Sequence, residues 1–158
     1  GLPCAAFGGK KEIMNQIAPL GPIYQAGTLS GNPLSMASGL AMLSALESDK
    51  SFYENLGKRS QYLVNGIVSE AKAQNIPMTS NSVGGMFGLF FSSEKKVSNF
   101  SQASRCNIEL FKKFYNAMLK QGIYLAPSAY EAGFLSNAHT DDDLDKTINA
   151  AATAFSLI

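Results

Sequence analysis

The chain has 158 residues, 46% of them hydrophobic, with 13 lysines and arginines against 12 aspartates and glutamates. That length suits one domain or one and a half with a sizeable core, and the near-zero net charge lacks the basic footprint of a nucleic-acid binder. Two cysteines, Cys4 and Cys106, are too few and too far apart to read as a disulfide framework or a zinc site. They fit a reducing, cytoplasmic setting, and no apolar stretch reaches membrane-spanning length.

In chain order, Lys10 to Ile17 reads as a short helix. From Ile13 to Leu46 no residue is charged, so this run is expected to be covered rather than solvated. Within it, Tyr24-Gln-Ala-Gly-Thr-Leu-Ser-Gly-Asn-Pro-Leu34 joins two glycines and two hydroxyl residues to a helix start. Gly27 and Gly31 allow a tight turn and a close backbone approach. Thr28 and Ser30 offer hydroxyls, Asn32 suits the N-cap and Pro33 the first helical position. Such a turn either simply caps a helix or cradles a phosphate. The helix predicted from Asn32 to Leu46 is apolar on most sides, the pattern of an element buried in a larger assembly.

Composition changes at Ser48-Asp49-Lys50-Ser51, which marks the domain boundary. Phe52, Leu56, Leu63, Ile67 and Ala71 then recur at helical spacing to about Gln74, with Glu54, Lys58, Arg59, Glu70 and Lys72 assigned to the wet face. Met86 to Phe91 reads as a buried strand led in by Gly84-Gly85, and Ser92 to Gln102 as a loop. Asn107 to Gln121 reads as a second amphipathic helix, with Ile108, Phe111, Tyr115 and Met118 inward and Gly122 closing it. Short strands are predicted at Ile123 to Leu125 and Phe134 to Ser136. Thr140-Asp141-Asp142-Asp143 has the pattern of a capping box before a final helix, with Leu144, Ile148, Ala151, Ala152 and Phe155 on one face. The six methionines are expected to fill core gaps. The second half is thus a small α/β unit with helices on a sheet.

Two blocks carry a resemblance. Gly1-Leu2-Pro3, Phe7-Gly8-Gly9-Lys10 and Gly21-Pro22-Ile23-Tyr24-Gln25-Ala26-Gly27-Thr28-Leu29-Ser30-Gly31-Asn32-Pro33 form one, and Ala126-Pro127-Ser128, Glu131-Ala132-Gly133-Phe134-Leu135-Ser136 and Ala138-His139-Thr140 form the other. Together they resemble the glutamate-1-semialdehyde 2,1-aminomutases of the class III aminotransferases, over essentially the whole chain. The resemblance implies the C-terminal part of a fold type I, pyridoxal-phosphate-dependent transferase. Residues 1–49 would end the large cofactor-binding domain, and residues 50–158 would form the small C-terminal α/β domain. It implies pyridoxal 5′-phosphate and pyridoxamine 5′-phosphate as cofactor, a homodimer, a small-molecule substrate, and no nucleic acid or membrane partner. The implied reaction is isomerisation of glutamate-1-semialdehyde to 5-aminolevulinate in tetrapyrrole (porphyrin) biosynthesis.

The resemblance also assigns residues. Gly27 and Thr28 would reach the cofactor phosphate of the other subunit, and Tyr24 would either line the shared site or serve as an interface aromatic. Glu131 stands where many class III aminotransferases carry an arginine that forks onto an α-carboxylate. An acid there would repel that carboxylate and tolerate an amine; the plain alternative is a surface glutamate. The Schiff-base lysine is expected a few residues before Gly1, so Lys10 and Lys11 are rejected for that role and these 158 residues alone are expected to be inactive. His139 reads as structural at its helix start, and no metal ligand set is expected. Two other functions stay open: another class III aminotransferase acting on an ω-amine, and a non-catalytic dimerisation module built on the uncharged Ile13 to Leu46 stretch.

Overall fold

A computed structural model describes residues 2–158, so the opening glycine of the first motif lies outside the described residues. The chain forms two compact units, one running to Lys50 and the other spanning Ser51–Ile158. The first unit holds helices α1 (Lys11–Met14) and α2 (Pro33–Ser48). The helix expected to reach Ile17 stops at Met14, because the chain turns back to pair Ile17 with Ile23 in a single parallel bridge. Helix α2 starts where its sequence dictates: Asn32 Oδ1 accepts from the N–H groups of Leu34 and Ser35, at 3.1 and 3.2 Å. Pro33, which lacks an N–H, occupies the first turn, where that group has no helical partner anyway. Leu34, Leu40, Met42 and Leu43 on α2 are exposed, and Ser35 is its one buried residue. The all-round apolar character read from the sequence is therefore real, while Met36 and Met42 fill no core gap within the described residues.

The second unit contains α3 (Phe52–Ala73), β1 (Thr79–Val83), β2 (Met86–Phe90), α4 (Phe100–Ala103), α5 (Ile108–Lys120), β3 (Gly133–Phe134) and α6 (Asp141–Phe155). The strands form one antiparallel sheet in the order β1-β2-β3. Strand β1 pairs with β2 from Thr79 opposite Phe90 to Val83 opposite Met86, and Gly84, with φ +55°, turns the hairpin. No strand was expected at Thr79–Val83, because Thr-Ser-Asn-Ser-Val shows no apolar alternation; its partner β2 supplies the ordering. Conversely, Ile123 to Leu125 forms no strand: its residues pack against the core from a loop. Of the strand predicted at Phe134 to Ser136 only Phe134 pairs, together with Gly133 before it, and the end of the predicted loop Ser92 to Gln102 runs into α4, capped by Asn99.

The core is built by the helical stripes. Leu63, Val64 and Ile67 from α3 meet Phe111, Phe114 and Met118 from α5 and Leu144, Ala151 and Phe155 from α6, closed by Phe87 and Phe91 from the sheet side. Phe114 stacks on Phe155 with ring centres 4.7 Å apart, and Phe91 meets Phe114 edge-on at 5.5 Å. Such pairs add to the gain from area burial alone. Met118 is buried and Met78 packs against the core, as expected of gap fillers, whereas Met86 is exposed. Helix α6 begins with the expected capping box: Thr140 Oγ1 accepts from Asp143 N, and Asp143 accepts from Thr140 N at 2.7 Å.

Candidate functional site

Residues singled out by sequence fall in both units. In the first, the Tyr24–Asn32 segment forms an exposed double turn. Ser30 N donates to Gly27 O at 2.9 Å, and Asn32 N to Leu29 O at 3.0 Å. A side chain at residue 27 would place its Cβ 2.8 Å from Ser30 Oγ, so the exposed serine hydroxyl would have to rotate away. Gly31 sits at φ +73°, the left-handed conformation that strains other residues. Among the described residues, neither the Thr28 hydroxyl nor the Gly27 and Thr28 N–H groups have a hydrogen-bond partner. The helix end itself contributes less than the sequence suggested, because Asn32 already occupies the N–H groups of Leu34 and Ser35. Tyr24 is 83% exposed, available to a ligand or a partner surface alike. Lys10 and Lys11 are exposed at the start of α1.

In the second unit, Glu131 lies on the Ser128–Gly133 loop, just before β3. The loop is tied by a turn: Tyr130 N donates to Ser128 Oγ at 3.2 Å and Glu131 N to Ser128 O at 3.1 Å. Strand β3 and the bond from Leu135 N to Gly85 O, at 2.7 Å, fix its far end. Glu131 lies at the rim of a cleft of about 420 Å³, walled by Phe87, Leu89, Phe111, Ile123 and Leu125. His139 and Asp143 also line it. Its described lining includes two carboxylates and neither lysine nor arginine. Glu131 is exposed and makes no ion pair among the described residues. Asp143 is held below the ordinary carboxylate range, first by the Thr140 backbone N–H and then by its hydroxyl. This is a largely apolar recess whose charged lining, among the described residues, is acidic.

His139 holds the turn before α6. Its Nδ1 lies 3.1 Å from both Ser136 N and Ser136 Oγ, which supports the structural reading. One residue was misassigned. Arg59, placed on the wet face, turns inward: its Nε donates to Asp141 Oδ1 at 3.0 Å, and a terminal nitrogen donates to the His139 carbonyl. The signal was in the sequence, because Arg59 lies three residues after Leu56 and four before Leu63, on the apolar stripe itself. Beside it, Tyr62 donates to Asp145 Oδ1 at 2.6 Å, a bond that raises the phenol's pKa.

Among the described residues no group of histidine, cysteine, aspartate and glutamate side chains could hold a metal, both cysteines are free, and no helix is long and apolar enough to cross a membrane.

The family profile of class III aminotransferases (Aminotransferase class-III) matches residues 1–153. The chain belongs to this family. Class III aminotransferases use pyridoxal phosphate. Solved structures share the fold. An omega-transaminase from Sphaerobacter thermophilus is 20% identical, with a TM-score of 0.77, over 94% of this chain and 34% of its own. A β-phenylalanine aminotransferase from Variovorax paradoxus is 23% identical, with a TM-score of 0.80, over the same shares. A transaminase with PLP bound is 21% identical, with a TM-score of 0.75, again over 94% and 34%. The chain therefore spans about a third of the length of the structures it matches.

Proposed function

We propose that this class III chain is the C-terminal part of a glutamate-1-semialdehyde 2,1-aminomutase, working as a homodimer in tetrapyrrole biosynthesis. The observation that carries the reading is the cleft rim. Glu131, exposed and without an ion pair among the described residues, takes by the resemblance the place of the arginine that receives an α-carboxylate, and the described lining of the cleft holds neither lysine nor arginine. A substrate with an amine and an aldehyde on its reacting carbons, and its one carboxylate at the far end, suits that charge pattern. Pyridoxal phosphate supplies the electron sink and carries the migrating amine. The residues of this chain bind and orient. Thr28 and the Gly27–Thr28 N–H groups donate to the phosphate across the dimer. Tyr24 lines that site, and Glu131 faces the transferring amines. Residues 1–49 end the large domain, and residues 50–158 form the small one.

An ω-amine transaminase is the second reading, favoured by the same lack of a carboxylate-binding cation. The test uses the full-length enzyme and Glu131→Arg. Isomerisation should fall about tenfold in kcat/KM, roughly 1.4 kcal/mol of transition-state binding, while turnover of an α-amino acid with a ketoacid rises. Unchanged specificity would remove Glu131 from the pocket and with it the support for an aminomutase.

A further inference from the structure

The His139 carbonyl precedes the N-cap of α6, so the helix offers it no N–H partner. A carbonyl in that position is free to accept from a donor elsewhere in the chain. Arg59 supplies it from helix α3, 80 residues away in sequence, while its Nε holds Asp141 in the first turn of α6. The Arg59 side chain is only 22% exposed, whereas Asp141 is 88% exposed. The ion pair by itself is a surface pair of small worth. The charge-assisted bond from a half-buried guanidinium to a carbonyl is the stronger element, and it requires the planar, several-pronged geometry of arginine. The segment it fixes is short and self-bonded: Ser136 N meets His139 Nδ1, and Thr140 and Asp143 close the capping box. Two members of that segment, His139 and Asp143, form one wall of the cleft that Glu131 rims. On the other side of the same loop, β3 is only two residues long. One end of the Glu131–Asp143 segment is thus held by a minimal strand and the Leu135 N to Gly85 O bond, and the other by the start of α6, to which Arg59 adds a tie from α3.

We infer that Arg59 is a positioning residue: by gripping the His139 carbonyl and Asp141 together, it holds the His139–Asp143 wall of the cleft in place against Glu131. The inference builds on the proposed function for its kinetic consequence and on geometry alone for its structural one. Arg59→Gln and Arg59→Lys are compared with wild type in the full-length protein, by amide hydrogen exchange and by steady-state kinetics. In Arg59→Gln, exchange at residues 136–143 should quicken at least tenfold while α5 (Ile108–Lys120) keeps its protection, since local opening is resolved separately from global unfolding. KM for the semialdehyde should rise several-fold with kcat within about twofold, and Arg59→Lys should restore little, because a single nitrogen cannot take the places of both Nε and the terminal nitrogen of the planar guanidinium. Unchanged exchange at 136–143 overturns the inference. So does a uniform rise across the unit including α5, which would make Arg59 a general stabiliser. If wild type forms no 5-aminolevulinate, the proposed function falls while the exchange result still decides the role of Arg59.

Discussion

Thr28 and Glu131 differ in how they became visible. Thr28 sits in a turn whose chemistry is local: Gly31 is favoured by a left-handed φ, and sequence shows such a need directly. The loss of one hydroxyl donor to a phosphate should cost about tenfold, given roughly 1.5–3 kcal/mol for a hydrogen bond to a charged group. Thr28→Val in the full-length protein should therefore bind pyridoxal phosphate about tenfold more weakly, by fluorescence titration, with little change in stability without cofactor. Equal affinity would take Thr28 off the phosphate. The stripe position of Arg59 was legible, but its partner was not. Its role depends on a carbonyl 80 residues away, and a charged residue at a stripe position reads as solvated until the facing element is known.

At the residue scale, Asp143 also gives the molecule a pH response. Its bonds to Thr140 lower its pKa in the folded state, so the unfolded chain takes up that proton at higher pH. The stabilisation is complete above the ordinary aspartate value of about 3.9 and is lost as pH falls through the lower folded value. Between about pH 5 and pH 3, wild type should lose more stability than Asp143→Asn, measured by denaturant unfolding at each pH. Parallel losses would show that the capping carboxylate contributes no linkage.

Among the elements, the three long helices of the second unit were legible because burial and 3.6-residue periodicity agree in each. Phe111 and Met118 of α5 point inward as read, and Phe114, Leu63 and Leu144 belong to the same buried network. Phe114→Ala should destabilise the unit by about 3–5 kcal/mol, since it empties a site with no exposure and two aromatic neighbours. A loss below about 1 kcal/mol in calorimetry would mean that Phe91 and Phe155 collapse into the space. The strands were harder. β1 is polar in sequence and is ordered by its pairing with β2, whereas Ile123 to Leu125 has strand-like composition but no strand partner. Apolar composition set burial correctly in that segment and pairing wrongly, because pairing is decided between segments. Helix α2 poses a different problem: its sequence is apolar all round, and its exposed leucines show a surface that sequence alone predicted to be covered.

For the molecule as a whole, family and fold were legible from the two motif blocks, and the match over residues 1–153 establishes the family. The choice of substrate is a finer matter. Structures at 20–23% identity share the fold and leave the chemistry to the cleft itself. The proposed choice of an amine-bearing substrate over an α-carboxylate rests there on Glu131, with neither lysine nor arginine in the described lining. The most direct test incubates the full-length, cofactor-loaded enzyme with glutamate-1-semialdehyde and no amino acceptor, and follows 5-aminolevulinate. Sustained formation over many turnovers is the predicted result. No product there, with ready turnover once an external ketoacid and an amine donor are added, would contradict it and identify an ordinary transaminase.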